Sequence, residues 1–336
     1  MPTIRVDPVA PDAGVIARAA EVIRRGGLVA FPTETVYGLG ANALDAAAVR
    51  RIYEAKGRPG YNPLIAHVAD SVAAARLVRA WPEAAARLAA AFWPGPLTLV
   101  LPKREVVPDI VTAGLDTVAV RVPAHAVALA LLRAAGVPIV APSANPSMML
   151  SPTRAEHVEQ GLGERVDLIL DAGPTRVGIE STVVDLTGDR PVLLRPGVLS
   201  TDDLEPLIGP VDRPAEAGGT APRRAPGMLA RHYAPRAELR VFEPTERGRA
   251  AELARAAAAA GRVVGALVLV PLDAPVHEEV CMPAEPAAYA RELYDVLHRL
   301  DALGCDLVLV EEPPATPAWA GVRDRLRRAG QPAGAQ

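Results

Sequence analysis

Apolar positions along the chain change period repeatedly. From Val15 to Arg25 they recur at the spacing of a helix face, stop at Gly26-Gly27, and give way to the run Leu28-Val29-Ala30-Phe31, which reads as a short buried strand. The exchange continues, with strands predicted at 64–68, 97–101, 117–122, 138–141, 168–171, 182–186 and 192–194, and helices at 71–91, 125–135 and 153–160. A further helix is capped by Asp45, carries Lys56 in its last turn and ends at Gly57. This is an α/β pattern with a twisted mixed sheet, of roughly 200 residues. From Gly209 to Pro226 the periodicity disappears into Pro, Gly, Ala, Arg and Glu, the composition of a solvated linker. Beyond it, strands at 238–242, 263–270 and 306–310 alternate with helices at 249–260 and 286–303, which predicts a small Rossmann-like parallel sheet. The expected units are residues 1–208, a linker 209–236 and a C-terminal domain 237–336. The last has no evident catalytic grouping, so a structural or lid role is its default.

Composition narrows the class. The chain has 336 residues, enough for two cores, and half are hydrophobic while only 4% are aromatic, so alanine, valine and leucine must do most of the packing. No apolar run approaches a membrane span and Met1-Pro2-Thr3-Ile4-Arg5 lacks a signal peptide's apolar stretch, so a cytoplasmic protein is expected. Cys281 and Cys305 lie far from any histidine pair, which points to neither a disulfide framework nor a cysteine zinc site. The formal net charge of -3 argues against a broad electrostatic grip on nucleic acid.

Five segments place polar groups where the backbone is expected to be irregular. Pro32-Thr33-Glu34-Thr35-Val36-Tyr37-Gly38-Leu39-Gly40 follows a strand, where α/β sheets put ligands. Its glycines superficially match a dinucleotide fingerprint, but they stand too far from the strand end for one. The run Lys56-Gly57-Arg58-Pro59-Gly60-Tyr61-Asn62-Pro63-Leu64-Ile65-Ala66-His67 concentrates cationic, amide and imidazole groups. Lys56 is one of only two lysines in the chain, and an ammonium beside a guanidinium suits a polyphosphate. Thr117, Ala119 and Arg121 share one strand face, and an arginine in so apolar a strand needs a partner, unless the strand is an exposed edge. Ala141-Pro142-Ser143-Ala144-Asn145-Pro146-Ser147 is a proline-braced loop of small hydrogen-bonding groups. The last segment joins Gly178-Ile179-Glu180-Ser181-Thr182 to Arg195-Pro196-Gly197.

Taken in order, KGRP, NPL with His67, SAN, GIESTV and LRPG resemble the YrdC-like domain of the L-threonylcarbamoyladenylate synthase family. Pro226-Gly227-Met228 and His232-Tyr233-Ala234-Pro235 resemble the linker of its two-domain form. The resemblance covers essentially the whole chain. It implies a YrdC-like sheet followed by a Rossmann-like domain, and a nucleotidyltransferase that joins L-threonine, bicarbonate or CO2, and ATP into threonylcarbamoyl-AMP with release of pyrophosphate. Matched position by position, it implies that L-threonine is held by Thr35, His67, Arg121, the Ala141 backbone and Ser181. It assigns ATP to Arg58, Asn62, Thr117, Ser143, Asn145, Ser151, Arg195 and Tyr233, with Lys56 and Arg58 catalytic at the phosphates. Tyr233 makes the linker a lid. Mg2+ is expected to arrive on the ATP phosphates without protein carboxylates. The product serves tRNA threonylcarbamoyladenosine modification through other, transiently met transfer proteins, with direct tRNA binding weak or absent.

Two departures stand out. The family often continues SAN with Ser-Gly, whereas here Ser147 precedes Met148-Met149-Leu150, and Ala225 replaces a usual serine. Two rival classes fit less well: an RNA-binding module, disfavoured by the acidic balance and few aromatics, and a carbamoyltransferase, whose further domains are absent here.

Overall fold

The computed structural model describes residues 2–214 and 231–330. Most of the predicted linker, including Ala225 and Pro226-Gly227-Met228, lies outside the described residues. Ten strands make one sheet: β1 (Thr3–Arg5), β2 (Val29–Pro32), β3 (Tyr37–Asn42), β4 (Ile65–His67), β5 (Leu97–Pro102), β6 (Thr117–Arg121), β7 (Ile139–Val140), β8 (Leu168–Asp171), β9 (Thr182–Asp185) and β10 (Val192–Arg195). Their order is β1-β8-β2-β3-β7-β4-β6-β5-β9-β10. Parallel pairs such as β4 with β6 alternate with antiparallel ones such as β2 with β3, so the sheet is mixed.

The two-residue alternation of β2 explains how the layers form. Val29 and Phe31 face the helices Ala13–Arg24 and Ala126–Ala135, which supply Ile16, Ile23, Val127 and Leu131. Leu28 and Ala30 point the other way, to a core with Val49, Ile52 and Tyr53 of the helix Ala46–Lys56. With helices on both faces, every residue of β2 is buried. The predicted caps hold: the Asp45 side chain accepts from the amides of Ala47 and Ala48, and Gly57 ends the helix at φ 60°.

A second sheet follows, all parallel, from β11 (Glu238–Phe242), β12 (Val264–Val268), β13 (Glu278–Cys281) and β14 (Leu307–Glu311), in the order β11-β14-β12-β13. Its helix Pro286–Ala302 turns Tyr289, Leu293, Tyr294 and Leu297 toward a core that also takes Val36, Leu150 and Ile179 from the first unit. The two units thus share apolar packing.

Three local expectations are corrected. The helix predicted at 71–91 is two, Ser71–Ala75 and Glu83–Phe92, because Pro82 has no amide hydrogen for a continuous helix and stands instead at the N-cap of the second. The stretch Tyr37 to Gly40 is β3 rather than loop, so only Thr33 to Val36 turn, and its glycines belong to an antiparallel hairpin with β2. Strands β1 and β13 go unpredicted because they are short, and β13 is only half-buried, which weakens its apolar signature.

Candidate functional site

Strands β4 and β6 run parallel and in register, so His67 and Arg121 end side by side. The antiparallel β7 pairs with β4 on its other side and delivers Ala141 just beyond its last residue. The next residues curl back over the hairpin: Leu39 donates to Pro142 O, and Ser143 bridges Gly38. At the far end of the sheet a register irregularity in β10 between Leu193 and Arg195 re-aims Arg195. These pieces close around one cavity lined by Thr35, Val36, Arg58, Ile65, His67, Arg121, Ala141, Pro142, Ser143, Glu180, Arg195, His232 and Tyr233. Eight of the residues singled out from the sequence therefore converge: Thr35, Arg58, His67, Arg121, Ala141, Ser143, Arg195 and Tyr233.

Each cation is held by backbone oxygens, which fixes its direction. Arg58 donates from Nε to Asn62 O at 3.1 Å and from Nη2 to Pro63 O at 2.8 Å. Burial brings its guanidinium down to about 10, so it stays charged near neutrality. Arg195 donates from Nε to Ser181 O at 3.0 Å and from Nη2 to Ser181 Oγ at 3.1 Å. Arg121 lies in an interior strand between β4 and β5, and the partner it needs is Glu34: Nη2 donates to Oε1 at 2.6 Å, while Nε donates to Gly95 O at 3.2 Å. Both side chains are 4% exposed. Glu34 Oε2 accepts in turn from the Ala124 amide.

His67 is neutral. Its Nδ1 lies 3.2 Å from Ile65 O, which can only accept, so that nitrogen carries the proton. Burial, with Arg121 nearby, pulls it down to about 3. A group so reluctant to take a proton is a hydrogen-bonding wall rather than a base.

Other expected residues stand outside the lining. The buried Lys56 ammonium donates to the carbonyls of Ser143, at 2.6 Å, and Asn145, and so ties the SAN loop to its helix. Asn145 spends its amide on Pro146 O and Met149 O, bracing the same loop. Ser181 Oγ lies 2.8 Å from Thr98 Oγ1, and Ser151 Oγ bonds Glu180. Thr117 begins β6, four residues and roughly 13 Å of strand from Arg121. Asn62 is buried at 1% exposure with neither amide atom partnered among the described residues, beside the Arg58 that its carbonyl holds.

Sequence reasoning missed Glu34, Glu180, His232 and Arg325. Glu34 and Glu180 sit inside the quoted segments, and a carboxylate amid hydroxyls and glycines was their signal. Glu180 accepts from Arg325 Nε at 2.8 Å and from Tyr294 OH at 3.2 Å. Burial pushes its carboxyl up, but Arg325 and Arg195 hold it below the ordinary value. His232 and Tyr233 close the cavity from the linker's end: Ala234 donates to Met148 O at 3.0 Å and His232 to Arg328 O at 3.3 Å. Among the described residues no group of three His, Cys, Asp or Glu side chains is placed to hold a metal. A larger open hollow, lined by Arg76, Arg79, Lys103 and Arg104 with three acids, shares none of these residues.

A family model described as "Telomere recombination" (Sua5, YciO, YrdC) matches residues 21–197, and "Threonylcarbamoyl-AMP synthase, C-terminal domain" matches residues 199–331. A threonylcarbamoyl-AMP synthase of Pyrococcus abyssi is 49% identical over 93% of this chain and 92% of its own. One of Bacillus subtilis is 44% identical over 94% and 92%. The crystal structure of P. abyssi Sua5 complexed with L-threonine superposes with TM-score 0.92 at 46% identity, covering 98% of both chains.

Proposed function

The chain belongs to the threonylcarbamoyl-AMP synthase family, and from that premise we propose that it makes L-threonylcarbamoyl-AMP from L-threonine, bicarbonate or CO2, and ATP, releasing pyrophosphate, for tRNA threonylcarbamoyladenosine modification. The observation that carries this reading is the convergence of Arg58, Arg195, Arg121 and His67, from three separate segments, on one cavity.

The chemistry asks for no protein nucleophile. The neutral amine of threonine takes up CO2 and loses a proton, the carbamate oxygen attacks the α-phosphorus, and the bond to pyrophosphate breaks. Catalysis of such a step is positioning and charge stabilisation, and alignment alone is worth about 7 to 11 kcal/mol. Arg121, turned by Glu34, takes the threonine carboxylate, with His67, the Ala141 backbone and Thr35 around the rest. Ser181 acts from behind, through Arg195. Arg58 and Arg195 face the phosphates, and Ser143 and the unsatisfied Asn62 amide supply neutral contacts to the nucleotide. Lys56, Asn145 and Ser151 shape this side by holding the loop and Glu180, and Thr117 lies toward the base. Mg2+ travels with ATP on phosphate oxygens and water, since the two acids nearest the cavity, Glu34 and Glu180, are each tied to an arginine.

The cavity encloses about 40 Å³, far less than the roughly 300 Å³ or more of ordinary ligand sites. Substrates therefore enter only if a wall parts. The His232–Tyr233 wall belongs to no strand or helix, so this end of the linker is the lid, lifting for entry and closing to exclude water. Transfer of the threonylcarbamoyl group to tRNA falls to other proteins, met transiently. The test is pyrophosphate release with threonine, bicarbonate and ATP omitted in turn. Release must need all three, and turnover unaffected by omission of threonine or bicarbonate refutes the reading.

A further inference from the structure

We propose that Arg325, on the last helix Ala320–Ala329, is a positioning residue for the nucleotide. It neutralises Glu180 in the cavity wall and holds the Tyr233 ring, so the C-terminal unit completes the ATP site from the far end of the chain. The inference rests on the reading above and adds a residue that no substrate touches.

Three observations carry it. Arg325 is 1% exposed, and all its nitrogens reach into the catalytic unit: Nε to Glu180 Oε2 at 2.8 Å, Nη2 to Glu180 O at 3.2 Å, and Nη1 to Pro196 O at 2.7 Å, while Nη1 also meets Asp324 Oδ2 of its own helix at 3.1 Å. Its guanidinium carbon stands 5.0 Å from the centroid of Tyr233, whose backbone adopts the left-handed φ of 60°. The helix that carries it is fixed by backbone contact. A Cβ on Gly321 would lie 2.4 Å from Gly197 O, and on the neighbouring helix Pro286–Ala302 Ala290 O would lie 2.3 Å from a Cβ on Gly178. The two contacts flank Glu180 in sequence and set Arg325 against it.

The charge arrangement explains the need. Glu180 lines a cavity whose other charged groups, Arg58, Arg121 and Arg195, are cationic. Facing a triphosphate, an uncompensated carboxylate there would repel it. A buried ion pair does little for stability, since well-packed apolar residues serve as well. What this pair provides is a cavity-wall carboxylate whose charge is met by a cation from behind, on a glutamate that also accepts from Ser151 and Tyr294.

The experiment measures pyrophosphate release by the full chain, with KM for ATP and for threonine and kcat determined separately, alongside Tm. In Arg325→Met, KM for ATP is expected to rise about 10- to 100-fold while KM for threonine moves less than about threefold. The defect should shrink as pH falls, because Glu180, left facing only Arg195 as a cation with Ser151 and Tyr294 as donors, takes up a proton more readily. The double variant Arg325→Met/Glu180→Gln is expected to return KM for ATP to within about fivefold of wild type. Glu180→Gln alone, which serves if Arg325→Met does not fold, should lower KM for ATP by about twofold or more, since the wall gains net positive charge. A fall in Tm with no change in KM, a double variant no better than the single, or a Glu180→Gln KM for ATP that is unchanged or higher overturns the proposal. Wild type that releases pyrophosphate without threonine overturns the functional reading, and this inference with it. Wild type that needs all three substrates, with variants that bind ATP normally, overturns this inference alone.

Discussion

Replacing Lys56 by methionine removes an ammonium while keeping an unbranched side chain of similar length in its place. In the native chain Nζ donates to Ser143 O and Asn145 O and reaches Asn145 Oδ1 at 3.4 Å. Hydrogen bonds to a charged group contribute about 1.5 to 3 kcal/mol each, so losing two takes away roughly 4 kcal/mol. Burial drives the ammonium below the ordinary lysine value, and relief from that desolvation offsets part of this loss. The net expectation is a loss of about 2 kcal/mol in the free energy of unfolding, measured by urea titration. The loop thus loosened carries both Ala141 and Ser143, cavity-lining residues proposed to meet threonine and ATP respectively. Affinity for both substrates should therefore fall together, with pyrophosphate release down at least 100-fold. If the urea midpoint stays put and only ATP binding weakens, the ammonium contacts the phosphates directly and the loop-anchoring argument is wrong.

Met148 has φ 70°, a left-handed conformation that costs a methionine about 1 to 2 kcal/mol. Glycine avoids that cost but loses roughly 0.4 to 1 kcal/mol through its freer unfolded chain, so Met148→Gly should stabilise by about 0.5 kcal/mol; a lower urea midpoint contradicts it. His67, His157 and His232 are each pulled to about 3, first by burial. The unfolded chain, with histidines near 6.5, therefore binds more protons between pH 6.5 and 3, and stability is fully present above 6.5 and lost as pH falls. Each such histidine contributes up to about 1.4 kcal/mol per pH unit, so Tm should drop steeply from pH 7.5 to 5, and His157→Phe should reduce the drop. An unchanged Tm at pH 5 contradicts the buried neutral assignment. Serine, lacking one methyl, should be disfavoured against threonine by about 1 to 3 kcal/mol in kcat/KM. Equal kcat/KM for the two amino acids removes the fitted pocket.

Local chemistry made much of this site legible. Asp45 and Gly57 mark their helix because capping is decided within four residues, and Arg121 announces a partner because charge in an apolar strand is costly. The break at Pro82 is equally legible and outweighs the apolar spacing around it. What is not legible is pairing across distance. Nothing near Glu34 points 87 residues on to Arg121, and nothing near Glu180 points 145 residues on to Arg325. Nor does residue type alone reveal that Lys56 donates to the carbonyls of Ser143 and Asn145. Such matches depend on how the sheet closes.

The methyl-tight approach of Gly321 to Gly197 bears on dissection. Severing the polypeptide between its two sheets would not liberate a shorter working enzyme. Leu150 and Ile179 would meet water, Tyr233 would lose the platform beneath its ring, and an orphaned acid would remain in the wall of the cavity proposed to take a triphosphate.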